Sequence, residues 1–248
     1  GYPKAPKYYI MKWLADYVEE FGIDGYRVDT VKHTNEDVWK DFQKICQESF
    51  DIYKRNNPSK VLDKNLFFTV GEVYGYGISQ KQDYDFGDRK VNFYQNGFKS
   101  LINFDFKGDA HNSYEDLFSK YSKLLNADLN GKTVMNYLTS HDDGSPFDKD
   151  RKKTYESATK LLLTPGISQI YYGDETARDL TIEGAEGDAT LRSNMNWNDI
   201  SSNSETKKLL EHYQKLGKFR ANHPAVGGGV HQMVSSLPYW FTRVFGND

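Results

Sequence analysis

The sequence predicts an α/β chain built from parallel βα units, and three observations carry that prediction. Five strand-like stretches are separated by helix-like ones long enough to serve as crossovers between parallel strands. Three of the strands run into carboxylates, Asp29, Glu72 and Asp142. From about Gly227 the pattern changes, and Val230 to Val244 reads as a β hairpin. At 248 residues, one large domain with a sizeable core is the default.

The elements follow from periodicity and stop signals. Tyr8 to Phe21 carries Ile10, Trp13, Leu14, Tyr17, Val18 and Phe21 at the spacing of one helical face, and Gly22 ends it. Gly25 to Asp29 is short and strand-like. Asn35 reads as an N-cap, with Glu36 and Asp37 in the first turn of a helix reaching about Tyr53. Leu66 to Val73 is a buried strand and Leu101 to Phe106 another. A helix follows from Tyr114 to Leu125, then a strand from Val134 to Thr139. Thr154 to Leu163 is helical, Ser168 to Tyr172 is a strand, and Lys207 to Phe219 closes the series as an amphipathic helix. An eight-stranded βα barrel takes about 250 residues before insertions. Five units spread over this length therefore imply a partial barrel whose remaining strands lie upstream. The Gly1-Tyr2-Pro3 opening, without initiator Met or signal segment, fits that expectation.

Composition excludes several functions. Thirty-two basic against thirty-five acidic residues argue against a nucleic-acid binder held by phosphate neutralisation. There is no run of about eighteen apolar residues, so membrane insertion is not expected. The single cysteine, Cys46, excludes an internal disulfide framework and a cysteine-rich zinc site. Aromatic residues make up 15% of the chain, a level that suits stacking on sugar faces, although a plain core accounts for most of them.

The carboxylates carry the chemistry. In parallel βα folds the carboxyl ends of the strands share one face, where active sites are built. Acids converging there must divide labour, one protonated and others ionised, as glycoside hydrolysis requires for its oxocarbenium-like transition state. Arg27 lies two residues before Asp29, on the same side of the strand, where it would hold Asp29 ionised as suits a nucleophile. Glu72 follows the apolar run Leu66 to Val70, an environment favouring the protonated form of a general acid. Each carboxylate taken alone also fits a solvated or capping residue.

The words around these acids are more specific. Gly25-Tyr26-Arg27-Val28-Asp29-Thr30-Val31-Lys32-His33, Gly71-Glu72-Val73 and Ser140-His141-Asp142-Asp143 resemble three signature regions of the α-amylase family of retaining glycoside hydrolases. They come in family order, 43 positions from Asp29 to Glu72 and 70 from Glu72 to Asp142. Leu163-Thr164-Pro165-Gly166, Ile170 to Glu175 and Arg192-Ser193-Asn194-Met195-Asn196-Trp197 support the resemblance, which covers roughly residues 8 to 226.

The resemblance implies a (β/α)8 TIM-type barrel of which about strands 4–8 are present. On that reading residues 1–226 are the C-terminal portion of the catalytic barrel and 227–248 the start of a C-terminal β-sandwich domain. It makes Asp29 the nucleophile, Glu72 the acid and base, and Asp142 the carboxylate that binds sugar hydroxyls and helps distort the ring. Arg27 would orient Asp29, and His141 would hydrogen-bond the sugar in the cleavage subsite. Lys32-His33 matches members that cut internal α-1,4-glucan links, lining the leaving-group side. Lys32 fits a solvated helix-start residue as well. His33 fits a packed histidine, or a backbone carbonyl ligand to calcium as in relatives. Tyr74, Tyr76, Phe86 and Trp197 are candidates for stacking on sugars, with loop packing the other reading for about half of them.

The family's Asp-x-x-x-Asn-His signature on the third strand is absent, because Asn222-His223 has Lys218 where the Asp belongs. The N-terminal half of the barrel, and the loop domain that supplies most calcium ligands, are thus expected outside this chain. Ser140 stands where chloride-activated relatives carry Asn, so no chloride is expected. Asp24 reads as a turn residue, and Asp174 and Glu175 as structural. Asp143, His111 and Asp109 lack the spacing of a zinc cluster. The implied substrate is starch or maltodextrin, and the implied location is secreted or periplasmic. Two other functions stay open: a related transglycosylase or α-glucosidase, the latter disfavoured by Lys32-His33, and a non-catalytic sugar-binding or scaffold protein, disfavoured by the presence of all three acids.

Overall fold

The computed structural model describes residues 2–246; Gly1 and the last two residues of the expected 227–248 segment, Asn247 and Asp248, lie outside the described residues. The chain divides into two compact units, one running to Tyr76 and including Gln82–Ile102, the other made of Gly77–Lys81 and the chain from Asn103 onward.

In the first unit, helix α1 (Pro6–Phe21) starts with proline, whose fixed φ suits the first turn. It stops at Gly22, whose φ of 69° turns the chain left-handed while its N–H donates to Val18 O at 2.9 Å. Strand β1 (Gly25–Val28) leads to a short 3-10 turn over Val31–His33 and then to α2 (Glu36–Asn56). Acidic Glu36 and Asp37 at the start of α2, with Lys54 and Arg55 at its end, complement the helix dipole. Asn35 sits at the N-cap as expected, yet its side chain makes no capping bond. β2 (Phe68–Gly71) pairs in parallel with β1, Gly25 opposite Phe68 and Val28 opposite Gly71. A small hairpin of β3 (Tyr84–Asp85) and β4 (Lys90–Val91) comes next, followed by β5 (Ser100–Asn103), which pairs in parallel with β2 through Val70–Ser100 and Gly71–Leu101.

Aromatic rings fill the space between α2 and these strands. Tyr26 meets Phe42 and Phe67, Phe67 meets Phe50, and Trp39 meets Phe98, with centroids 5.5 to 6.0 Å apart. Such pairs each contribute about 0.5–1.5 kcal/mol beyond the area they bury. The helix expected over 8–21 forms, with Met11, Ala15 and Val18 buried and Ile10, Trp13, Tyr17 and Phe21 exposed. One expectation is corrected here. The strand expected from Leu66 begins at Phe68, because the Phe67 N–H is used by the Gln47 side chain (2.9 Å) and Leu66 is exposed.

The second unit holds α3 (Phe106–Asp109), α4 (Tyr114–Asn126), β6 (Thr133–Asn136), α5 (Thr154–Leu163) and β7 (Ile167–Ser168). It continues with α6 (Asp199–Ser202), α7 (Ser204–Asn222), α8 (Pro224–Gly228) and the antiparallel hairpin β8 (Val230–Ser236) with β9 (Tyr239–Val244). β6 and β7 are parallel, Met135 opposite Ile167. Ser113 caps α4 by accepting from Asp116 N, and Asn203 caps α7 by accepting from Glu205 N and Thr206 N. Ala158 and Leu162 of α5 pack on Leu209 and Tyr213 of α7.

Phe106 belongs to α3 rather than to a strand. The Asn103 side-chain oxygen accepts from Ile78 N and Asp105 N, which turns the chain three residues early. β7 is likewise shorter than expected, because Tyr172 O accepts from Arg178 Nε instead of a neighbouring strand. The hairpin docks on α4 as a small ionic cluster. His231 Nε2 lies 2.9 Å from Glu115 Oε2, Tyr239 donates to the same oxygen, and the Arg243 guanidinium lies over the Phe118 ring.

Candidate active site

The first unit brings together Arg27, Asp29 and Glu72. Arg27 occupies β1, Asp29 follows its last residue, and Glu72 follows β2 in the register that sets Val28 opposite Gly71. Arg27 uses both arms of its guanidinium. Nη1 donates to Asp29 Oδ1 at 2.6 Å, and Nη2 lies 3.5 Å from Glu72 Oε2. The same-side argument from the sequence thus matches the geometry, and the contact to Glu72 is an addition that strand spacing alone does not reveal.

The two carboxylates differ sharply in setting. The Asp29 side chain is 66% exposed, that of Glu72 only 11%. Burial pushes the Glu72 carboxyl above its ordinary value, helped by a hydrogen bond and charge from Asp29, while the Thr30 N–H and the Arg27 charge pull the other way. Glu72 is therefore biased towards its protonated form and Asp29 is held by a cation, the division of labour expected of an acid and a nucleophile.

Thr30 is a further member of the site. It is a β-branched residue with φ 49° and ψ 36°, and its N–H donates to Glu72 Oε2 at 2.9 Å. A threonine is uncommon in this left-handed region, and its identity in the sequence carries no signal of the conformation.

Lys32 and Tyr74 form a second group. Lys32 Nζ donates to Tyr74 O at 2.9 Å and to the Tyr84 hydroxyl at 3.0 Å, and lies 5.2 and 5.3 Å from the centroids of the two rings. Lys32 is thus engaged with the loop after β2 and with the β3–β4 hairpin, unlike a solvated helix-start residue. Tyr74 itself is 64% exposed. Lys32→Met is expected to loosen this loop and cost about 1–2 kcal/mol of stability in urea unfolding, from the lost hydrogen bonds and cation–π contacts; an unchanged midpoint would refute the bracing role. His33 ends the 3-10 turn with an exposed side chain. Tyr76 is fully buried and its hydroxyl pairs with that of Tyr94 at 3.1 Å, so it is a packing residue and not a stacking one. Phe86 packs edge-on against Tyr84, whereas Trp197, in the second unit, is 71% exposed.

The second unit carries His141 and Asp142 on the loop beyond β6. Ser140 Oγ donates to Asp142 Oδ1 at 3.1 Å, His141 Nε2 lies 3.4 Å from Asp142 Oδ2, and Arg192 Nε donates to His141 O at 3.0 Å. The neighbouring Asp143 is a structural anchor. Its burial would raise its pKa, but bonds from Lys107, Ser145 N and Tyr137 outweigh that and hold it below the ordinary range. Asp174 is buried against Arg151 at 2.8 Å, which fits the structural reading. Asp109 is taken by Lys120 and Tyr121, and His111 packs against Phe147 with the rings tilted by 47°.

Calcium takes six to eight oxygen ligands. Among the described residues no group of three or more His, Cys, Asp or Glu side chains is placed to hold a metal ion. No helix among the described residues is long and apolar enough to cross a membrane.

Parallel βα units whose strands lead into an Arg-bridged pair of carboxylates define a partial (β/α)-barrel with a carboxylate site. The chain belongs to the alpha-amylase family: residues 4–214 match the family described as alpha amylase, catalytic domain. It is 34% identical over 246 residues to the periplasmic alpha-amylase of Escherichia coli (strain K12), covering 98% of this chain and 34% of that protein. It is 24% identical over 246 residues to a cyclomaltodextrinase of Bacillus sp, covering 93% of this chain and 37% of that one. The fold matches the alpha-amylase of Geobacillus thermoleovorans, solved in complex with acarbose, with a TM-score of 0.70 at 18% identity over 97% of this chain and 50% of that one. The chain thus spans about a third of the curated relatives and half of the solved structure, and the neighbouring structures include (β/α)8-barrel alpha-amylases.

Proposed function

We propose that these 248 residues are the C-terminal part of the catalytic barrel of a retaining glycosidase that cleaves α-1,4-glucosidic bonds of starch or maltodextrins. Residues 1–226 would belong to the barrel and 227–248 would begin a β-sandwich domain. The observation that carries the reading is the single guanidinium shared by an exposed, ion-paired Asp29 and a buried, protonation-prone Glu72. Asp29 attacks the anomeric carbon as Glu72 passes its proton to the glycosidic oxygen. The C–O bond breaks, the shortened glucan leaves as an alcohol, and a glycosyl ester forms on Asp29. Glu72, now ionised, takes a proton from water as the water oxygen attacks the anomeric carbon, breaking its bond to Asp29, releasing the sugar and restoring both carboxyls. Arg27 orients the nucleophile. Asp142 and His141 bind sugar hydroxyls, with the Ser140 hydroxyl committed to Asp142 rather than to a chloride site. Lys32, His33 and Tyr74 line the leaving-group side. His33 would offer calcium one backbone carbonyl, and most of the other ligands would come from sequence outside this chain. Similarity to a protein named periplasmic supports a secreted or periplasmic location.

The test is hydrolysis of maltoheptaose by the full-length protein, followed by proton NMR. Products released in the α-anomeric form support double displacement, and β-anomers would overturn it. The 248-residue chain alone is expected to release little or no sugar, because five of eight strands leave the subsite wall unfinished. A transglycosylase is the second reading, supported by similarity to a cyclomaltodextrin glucanotransferase of Geobacillus stearothermophilus. It predicts products longer than seven glucose units, made when a sugar hydroxyl replaces water in the second step.

A further inference from the structure

We propose that Thr30 is a positioning residue: locked in a left-handed turn, its peptide N–H occupies Oε2 of Glu72 and leaves Oε1 as the oxygen that carries the transferable proton. The inference rests on the reading of Glu72 as the proton donor. Oε2 receives the Thr30 N–H at 2.9 Å and faces Arg27 Nη2 at 3.5 Å. Two positively polarised groups on one carboxyl oxygen make it the acceptor oxygen of the neutral acid, since a hydroxyl placed there would meet donors with a donor. The proton therefore resides on the other oxygen.

The turn that aims this N–H is imposed by its surroundings. Val31 N donates to Glu72 O at 2.9 Å, Glu72 N donates to Val28 O at 2.8 Å, and His33 N returns to Thr30 O at 3.0 Å. The indole of Trp39, itself in the core, donates to Val31 O at 3.2 Å. Main-chain bonds on both sides of Thr30 thus hold a conformation that a β-branched residue rarely adopts, and such outliers collect where geometry is used. The charged groups facing Glu72 are Arg27 and Asp29. Of the contacts that favour the ionised form, the Thr30 N–H is the largest. It offsets part of the rise from burial and sets a ceiling on how firmly the acid keeps its proton.

The direct test replaces Thr30 in the full-length protein by its α-hydroxy counterpart, turning the Asp29–Thr30 amide into an ester without an N–H. The readout is kcat/KM against pH on maltoheptaose, whose leaving sugar needs the proton from Glu72. A hydrogen bond to a charged carboxylate has a strength corresponding to about one pH unit. The alkaline limb, which follows loss of the Glu72 proton, is expected to move up by about that much. Thr30→Ser keeps the N–H and should leave the limb in place. An ester enzyme whose limb coincides with that of the parent overturns the proposal.

A second measurement needs no altered backbone. In protein selectively labelled with 15N-threonine, the Thr30 amide is expected to titrate with the midpoint of the alkaline limb and to stop titrating in Glu72→Gln. A Thr30 amide indifferent to pH across that limb overturns the proposal as well. Failure of the underlying reading is separate, for it would show as an alkaline limb that survives intact in Glu72→Gln.

Discussion

In the full-length protein, Glu72→Gln is expected to lower kcat on maltoheptaose by about 10²–10⁴-fold, the range spanned by general acid–base catalysis. The amide keeps the shape of the carboxyl and can still accept from Thr30 N, but it has no proton to give to a sugar oxygen. The loss should therefore depend on the leaving group. An aryl maltoside with an acidic phenol departs without help, so its bond-breaking step should be much less affected than that of the natural glucan. Asp29→Asn replaces the attacking carboxylate by a neutral amide and should cost at least as much with both substrates. This crossed pattern separates the two roles, and equal losses for both variants on both substrates would contradict the assignment. The pH profile supplies a third check. Burial and the Asp29 charge raise the Glu72 carboxyl, so the parent should keep its alkaline limb above the ordinary carboxylate range.

Gly25→Ala is expected to be the most damaging single-methyl change in the first unit. A Cβ built on Gly25 would lie 2.2 Å from Phe68 O and 3.0 Å from Phe68 C. Both are backbone atoms of the paired strand, and Gly25 opposes Phe68 in the register. No side-chain rotation can relieve the clash; β1 must shift against β2, or the first ladder position must open. The same register sets Val28 opposite Gly71 and so places Asp29 near Glu72, which means the strain reaches the site. A loss of about 3 kcal/mol or more is expected, at the upper end of overpacking effects. Urea unfolding followed by circular dichroism measures it, and a change below about 1 kcal/mol would show that the strands adjust more freely than their pairing suggests.

The sequence made the acids legible because their neighbours form recognisable words, and alternation on a strand was enough to put Arg27 beside Asp29. It made the helix at Glu36–Asn56 legible through the charges at its two ends, although the Asn35 side chain forms no cap. Elsewhere the rules had no purchase. Periodicity marks an apolar face on α1 but does not say which part is covered, and Met11 and Ala15 took the core while Trp13 and Tyr17 did not. Side chains outside the strands compete for ladder positions and shortened them, Gln47 at Phe67 from 20 residues away and Arg178 at Tyr172 from 6. The two-residue strands at Tyr84–Asp85 and Lys90–Val91 are too short for any pattern. Thr30 contributes through its main chain, which no side-chain motif can announce.

The unequal burial of the tryptophans determines what light can report. The chain has four. Trp13, Trp197 and Trp240 are each more than 60% exposed, and only Trp39 is buried, in the aromatic cluster beneath β1 and β2. The three solvent-facing indoles gain little further contact with water on unfolding, so a fluorescence melt is expected to follow chiefly Trp39. Its transition describes the unit that holds Asp29 and Glu72. The unit with His141 and Asp142, whose tryptophans are both wet from the outset, could open without a visible change in colour.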